Sequence, residues 1–317
     1  MRIVYWAHMD LAQAQLEQKL KEQGWAEVSV VETLDELEAA LPGAIGLVTG
    51  DLPRKHIGDM ARLLNAPPCT IRWVHIITAS RSKFLQANPP ARIVVTGPAG
   101  AHARTVAEHA LAFLLSHTRQ ITAFAAMTKG GKWDRTATRR MSSLEGKTVC
   151  IVGTGYAGRE VAKLAIAFGS QAIGVNRTVR PDPLFHDMLG LDAIVEAFGR
   201  SDYVVLTIAE APETRHLLGA PEFAALPRHA YVVNVARGSI VDSRALHDAL
   251  SEGRLAGAGI DVTDPEPLPD DHHLWDAPNL VISPHTSGGQ SAASLERLAG
   301  RVLQNLQRLV EGNLRPS

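Results

Sequence analysis

Apolar residues along this chain follow two alternating rhythms. Short runs in which nearly every position is apolar (Ile3–Trp6, Val28–Val31, Ile45–Thr49, Ile71–Ile77 and Arg92–Val95) are separated by stretches where apolar residues recur every three or four positions, such as Leu11–Lys21 and Ile57–Leu64. Continuous runs suit strands buried on both faces, and the spaced stretches suit the helices that cross between them, so the pattern predicts βαβ units and a parallel sheet. At Gly97-Pro98-Ala99-Gly100 the alternation stops, and a helical pattern runs from near Ala103 to about Thr128. A second series then opens, with strands expected at Val149–Val152, Ala172–Val175, Tyr203–Thr207, Tyr231–Val235, Ala258–Val262 and Leu280–Ile282. The last helix, about Gln290–Glu311, aligns Leu295, Leu298, Val302, Leu306 and Leu309 and needs an apolar surface to cover. We expect it to return to the first series. The reading is therefore α/β, with two doubly wound parallel-sheet domains: residues 1–98 and 288–317 form one, and 99–287 the other.

Composition fits two ordinary cores, at 317 residues and 45% hydrophobic content. A net charge of -1 with no long basic tract argues against nucleic acid and against an anionic membrane as partners. Arg135, Arg139 and Arg140 form a small cluster that suits a solvated loop. No apolar stretch reaches the roughly 20 residues of a membrane-spanning helix, and Met1–Ala7 is too short, with Asp10 following, to be a signal peptide, so a cytoplasmic protein is expected. Cys69 and Cys150 lie far apart, and Cys150 falls inside a strand, so neither a disulfide nor thiol chemistry is expected; nor is a metal site.

The first chemistry appears at Gly153-Thr154-Gly155-Tyr156-Ala157-Gly158, which follows an apolar strand and opens an amphipathic helix bearing Val161, Leu164, Ala165 and Phe168. In that context the first glycine permits a tight turn, the second lets backbone approach a pyrophosphate, and the third lets helix pack on sheet, with the helix N-terminus facing the anion. The second strand ends in Asn176-Arg177-Thr178, where a site for NAD would carry an acidic residue. Arg177 offers a 2'-phosphate a charge-assisted pair and Thr178 a hydroxyl, which favours NADP, with NAD possible; the alternative is that Arg177 stacks on adenine or points to water.

Ligands of open α/β sheets bind beyond the carboxyl ends of the strands. Three polar residues occupy such ends: Arg237 in Asn234-Val235-Ala236-Arg237-Gly238, Glu266 after Asp261-Val262, and His285 after Ser283-Pro284. Singly each has a bland explanation: a surface ion pair, a loop carboxylate before Pro267, a histidine in a turn. On three strand ends of one nucleotide-binding sheet they supply the cation, carboxylate and imidazole that reduction of a ketone needs.

With these motifs the chain resembles the D-isomer-specific 2-hydroxyacid dehydrogenase family, of the glyoxylate/hydroxypyruvate reductase type, from about Val106 to His285. The resemblance is carried by Val106-Ala107-Glu108-His109-Ala110-Leu111, Lys132-Trp133, Leu144-Glu145-Gly146-Lys147, the glycine loop, Pro212-Glu213-Thr214-Arg215-His216-Leu217, Asn234–Gly238, Gly259-Ile260-Asp261-Val262 with Glu266-Pro267-Leu268, and Ser283-Pro284-His285. It implies a Rossmann-type cofactor domain beside a flavodoxin-like substrate domain, and a homodimer held by the helical region after Ala103. It also implies Arg237, Glu266 and His285 as catalytic residues, and Ile208, Ala209, Thr214, Val235, Ala236, Asp261 and Ser287 beside the glycine loop around the cofactor. In such a site Arg237 would bridge the carboxylate and carbonyl oxygens of a small 2-keto acid, His285 would donate the proton, and Glu266 would favour the protonated imidazole. Three positions depart from the family pattern. The turn expected to hold the substrate carboxylate reads Thr78-Ala79-Ser80-Arg81-Ser82, without glycine; Ala79, Ser80, Arg81, Arg237 and His285 are the expected substrate contacts, with Arg81 facing solvent as the alternative. Thr263 stands where an aromatic is common, and Ala209-Glu210 follows the strand after Tyr203. A dinucleotide-sensing protein that keeps the fold without turnover is the competing reading, and a formate-type dehydrogenase is disfavoured by Glu266, where an amide would be needed.

Overall fold

The computed structural model describes residues 1–9, 13–22, 24, 26–67, 69–289 and 291–316. The chain divides into two units, Met1–His102 with Gln290–Ser317, and Ala103–Gly289. The expected divisions, at 98/99 and 287/288, lie a few residues earlier. The first shifts because the Gly97–Ala101 break stays with the N-terminal unit: Ala101 N donates to Pro98 O, and Arg297 Nε donates to Ala101 O.

In the first unit, strands β1 (Arg2–Trp6), β2 (Glu27–Val31), β3 (Gly46–Thr49), β4 (Trp73–Ile76) and β5 (Val94–Thr96) form a parallel sheet in the order β2-β1-β3-β4-β5. That is the flavodoxin-type order. Helices α1 (Gln13–Lys21), α2 (Leu34–Ala40), α3 (Ile57–Asn65) and α4 (Ser82–Gln86) connect the strands. The C-terminal helix, Ala292–Val310, buries Leu298, Val302 and Leu306 in one cluster with Tyr5, Val48 and Trp73, which explains its one-sided apolar pattern. Leu11 and Gln290, the expected first residues of two helices, lie outside the described residues.

The second unit contains α5 (Ala103–Thr118), α6 (Ile121–Lys129), β6 (Thr148–Val152), α7 (Tyr156–Ala167), β7 (Gln171–Asn176), β8 (Asp187–Gly190), α8 (Ile194–Gly199), β9 (Tyr203–Leu206), α9 (Ala220–Ala225), β10 (Tyr231–Asn234), α10 (Ser243–Ser251), β11 (Gly257–Ile260) and β12 (Leu280–Ile282). Its seven strands are parallel, in the order β12-β11-β10-β9-β6-β7-β8, so the winding reverses between β6 and β9. Separate apolar clusters cover its two faces. The expected continuous helix from Ala103 to Thr128 is broken. Gln120 adopts a left-handed φ of 55°, its amide and side-chain Nε2 both donate to His117 O, and Ser142 N takes the Thr118 carbonyl that the next helical turn would have used.

Among the described residues no helix is long and apolar enough to cross a membrane, and no group of three or more His, Cys, Asp or Glu side chains could hold a metal ion. Cys150 is buried in β6, and that burial pushes its thiol up to about 12.

Candidate active site

At the switch between β6 and β9, each glycine of 153–158 does a different job. Gly153 has a φ of 98°, and a Cβ there would come within 2.5 Å of the Ile208 backbone. At Gly158 a Cβ would stand 2.0 Å from Gly153 O. A Cβ on Gly155 would meet nothing within 4 Å. Two glycines are thus demanded by packing within the protein, and the third leaves open space in front of the α7 N-terminus, whose first turn carries no side-chain cap. Uncapped amides behind an open approach fit a pyrophosphate. Thr154 Oγ1 accepts a hydrogen bond from Asn176 Nδ2 at 2.9 Å, which ties the loop to the end of β7. After β9, Ile208 and Ala209 lead into a turn closed by the buried Thr214, whose Oγ1 accepts from Ala211 N and lies 3.0 Å from Ala209 O.

Beyond β10, the buried Asn234 shapes the next loop. Its Nδ2 donates to Arg237 O at 2.9 Å and its Oδ1 accepts from Ala236 N at 3.0 Å, so Val235 and Ala236 turn inward and Arg237 is carried to the strand end. Gly238 lets this loop touch the next, since a Cβ there would overlap the Thr263 carbonyl carbon at 1.9 Å. Thr263 begins the segment that holds Glu266: its amide donates to Glu266 Oε1 at 3.1 Å, and Glu266 Oε2 is 2.9 Å from His285 Nδ1. A carboxylate only accepts, so Nδ1 carries the hydrogen and Nε2 is the nitrogen able to exchange a proton with a ligand. Burial pushes the Glu266 carboxyl up, but the His285 hydrogen bond, the Thr263 amide and the charges of His285 and Arg237 outweigh it and hold the group below its ordinary value. Glu266 is therefore ionised at neutral pH.

His285 is fixed at a φ of 54°, the left-handed region that an L side chain rarely adopts. Asp261, at the end of β11 and fully buried, accepts the amides of Thr286 and Ser287 at 2.8 Å each and the Ser283 hydroxyl at 2.5 Å. Burial raises its carboxyl, and the bonds from Ser283, Ser287 and Thr286 more than offset that, so it stays charged. Asp261 and Ser287, expected beside the cofactor, thus also build the loop that presents His285.

Two other expected positions are engaged by neighbours. Arg177 Nη1 lies 2.8 Å from Glu213 Oε1, with both side chains about half exposed; Thr178 is exposed. In the first unit, the turn Thr78–Ser82 closes on Asp51: Asp51 N donates to Thr78 Oγ1, and Asp51 Oδ2 accepts from Ser80 Oγ, each at 2.9 Å. None of these turn residues has a positive φ, so glycine is not required there. The amides of Ser82 and Phe84 are taken by Ser80 Oγ and Asp51 Oδ1. Ala79 and Arg81 sit within this side-chain-closed turn rather than within a glycine cradle.

Residues 111–287 match the D-isomer specific 2-hydroxyacid dehydrogenase, NAD binding domain. The chain belongs to the D-isomer specific 2-hydroxyacid dehydrogenase family. That places it among NAD(P)-dependent oxidoreductases, and its second unit is the NAD-binding domain of the family. Glyoxylate reductase of Korarchaeum cryptofilum is 34% identical over 231 residues, which cover 71% of this chain and 68% of that one. D-3-phosphoglycerate dehydrogenase of Methanocaldococcus jannaschii is 32% identical over 228 residues, 70% of this chain but 42% of that longer protein. The crystal structure of a D-isomer specific 2-hydroxyacid dehydrogenase family protein from Aeromonas salmonicida subsp. salmonicida A449 superposes with a TM-score of 0.86 at 25% identity, covering 99% of this chain and 97% of that one.

Relative to the family motifs, the sequence left three polar partners unassigned. Glu213 as the partner of Arg177 joins residues on two separate strand ends, and no local spacing announces it. Ser239 Oγ donates to Glu210 Oε1 at 2.6 Å, joining the Arg237 loop to the turn after β9. Asn234 could have been found: an Asn closing an apolar strand just before Arg-Gly is a buried amide in need of backbone partners.

Proposed function

We propose that this protein reduces a small 2-keto acid to the D-2-hydroxy acid with a preference for NADPH, in the manner of a glyoxylate or hydroxypyruvate reductase, and that it works as a homodimer. The observation that carries the reading is the His285–Glu266 pair at 2.9 Å, with the Arg237 charge close enough to lower the Glu266 carboxyl. The bound dinucleotide supplies a hydride to the carbonyl carbon. Arg237 pairs with the substrate carboxylate and opposes the charge that grows on the carbonyl oxygen. His285 gives that oxygen the proton on Nε2, and Glu266 holds the ring through Nδ1. Ile208, Ala209, Thr214, Val235 and Ala236 border the cofactor, and the glycine loop holds its pyrophosphate. Arg177 and Thr178 favour a 2'-phosphate. The glyoxylate reductase relative suggests a short acid as substrate. Reading the molecule as a homodimer rests on α6, where Ile121 is exposed and no residue is buried, and on the exposed Trp133.

The test is turnover of glyoxylate and hydroxypyruvate with NADPH and with NADH, and chirality of the glycerate formed. D-glycerate made faster with NADPH is expected. Tight dinucleotide binding without turnover of any short 2-keto acid would favour a sensor instead.

A further inference from the structure

In the second unit, one side chain from α5 reaches the loop that presents His285. His109 Nε2 lies 2.8 Å from Ser283 Oγ, which is itself 2.5 Å from Asp261 Oδ1. The direction of these bonds follows from the inventory of hydrogens. Asp261 is ionised and can only accept, so the single Ser283 hydroxyl proton goes to it; Ser283 Oγ must then accept from His109, whose Nε2 carries a hydrogen. From Asp261 the chain continues to the amides of Thr286 and Ser287, while the Asp261 carbonyl takes the amide of His285 at 2.8 Å. The ring of His109 is itself held edge-on by Phe113, centroids 4.9 Å apart, and Phe113 fills the notch over Gly259, where a Cβ would stand 2.5 Å from its ring.

We propose that His109 is a positioning residue for the proton donor: its Nε2–H, acting through Ser283 and Asp261, holds the His285 loop in the left-handed turn that aims the imidazole. A histidine at a φ of 54° relaxes unless its surroundings over-determine it. Asp261 supplies that constraint, and His109 orients the hydroxyl that completes the ring of donors around it. Without His109, Ser283 Oγ can rotate away, Asp261 Oδ1 loses its shortest partner, and the loop gains freedom where the reaction tolerates little. This inference rests on the proposed reduction for its kinetic consequence alone.

The experiment compares His109→Leu, which keeps the bulk and removes the donor, with His109→Gln, whose amide can reach Ser283 from the same helical position. Leu is expected to lower kcat roughly tenfold or more while leaving KM for the dinucleotide nearly unchanged, and Gln to restore most of it. Ser283→Ala should cost about as much as His109→Leu, and the double variant no more than either, because they break one chain. Amide exchange over residues 283–288 should speed up in His109→Leu but not in His109→Gln. Full kcat in His109→Leu, equal damage by Leu and Gln, additive losses or unchanged exchange would each overturn the assignment. A wild-type protein without turnover would sink the proposed reduction, and the exchange measurement would still decide the role of His109.

Discussion

Arg177 Nη1 stands 2.8 Å from Glu213 Oε1, so the cation closing β7 already has a carboxylate partner before any phosphate arrives. Glu213 comes from the turn after β9, and its carboxyl is held low by its own backbone amide and by Arg177. A 2'-phosphate would have to share or displace that partner, and the carboxylate would repel it. Arg177→Ala is expected to reduce catalytic efficiency with NADPH by on the order of tenfold and to leave NADH nearly untouched. Glu213→Gln should act in the opposite sense, improving NADPH binding a few-fold, since an exposed pair is weak to begin with. Binding titrations of both cofactors against both variants check this; equal losses for NADPH and NADH in Arg177→Ala would remove the phosphate from the account.

Glu266 can be tested through the proton it helps to hold. In the proposed reduction His285 gives up the proton on Nε2, and the ionised carboxylate 2.9 Å from Nδ1 holds the ring that aims it. Glu266→Gln keeps a hydrogen-bond acceptor and loses the charge. Reduction should therefore lose roughly tenfold or more in kcat/KM while binding of the dinucleotide changes little. A variant with full activity would take Glu266 out of the mechanism.

The glycine loop separates folding from binding. At Gly158 an added Cβ falls 2.0 Å from Gly153 O, so Gly158→Ala must push α7 off the sheet, at a cost of roughly 1–3 kcal/mol, which thermal melting should register. At Gly155 the same methyl enters open space, so Gly155→Ala should melt with the wild type and bind either dinucleotide far more weakly. Equal affinities for Gly155→Ala and wild type would mean that the pyrophosphate lies elsewhere.

What the sequence disclosed, and what it withheld, divides along physical lines. The buried strands were legible because both faces are apolar, and the glycine loop because its three glycines answer three different constraints. The strand β8 escaped: Asp187–Gly190 has only Met188 and Leu189 apolar, pairs only with β7 at the sheet edge, and is too short to show a rhythm. Helix α2 also went unassigned, although Thr33 and Glu36 form a capping box that the spacing alone advertises. At Gln120 the apolar pattern continues through a break created by hydrogen bonds, one of them from Ser142, which no local window contains. The places of Arg237, Glu266 and His285 beyond strand ends were legible from the apolar runs that precede them. Their tuning by Asn234, Thr263 and Asp261 required the folded loops.

The helix after that break yields a test of assembly. In α6 no residue is buried, and Ile121 and Trp133 stand 55% and 96% exposed. These exposed apolar side chains are the ones that the proposed homodimer would cover. Ile121→Asp together with Trp133→Asp should shift a homodimer toward monomer in sedimentation velocity without altering the melting of the single chain greatly. A wild type that sediments as a monomer at every concentration would end the homodimer reading.

Acid stability should be governed by two buried imidazoles. His75, at the centre of β4, lies 2.9 Å from Thr96 Oγ1 and 3.3 Å from Asn305 Nδ2 of the C-terminal helix, and burial, with the charge of Arg301 behind it, lowers it to about 3. His117 stacks on Tyr231 with centroids 4.1 Å apart, and burial lowers it to about 4. Both values lie below that of the unfolded chain, about 6.5, so below that pH the unfolded state takes up protons that the folded state refuses. Stability is then lost as pH falls, by up to ~1.4 kcal/mol per pH unit for the fully buried His75, and the loss levels off below about 4 for His117 and about 3 for His75. Urea unfolding from pH 7 to pH 4 measures the slope directly. His75→Asn, which keeps a polar group near Thr96, should be less stable at pH 7 and show a shallower slope by about one proton; a slope identical to the wild type would mean that His75 is already protonated or already solvated in the folded protein.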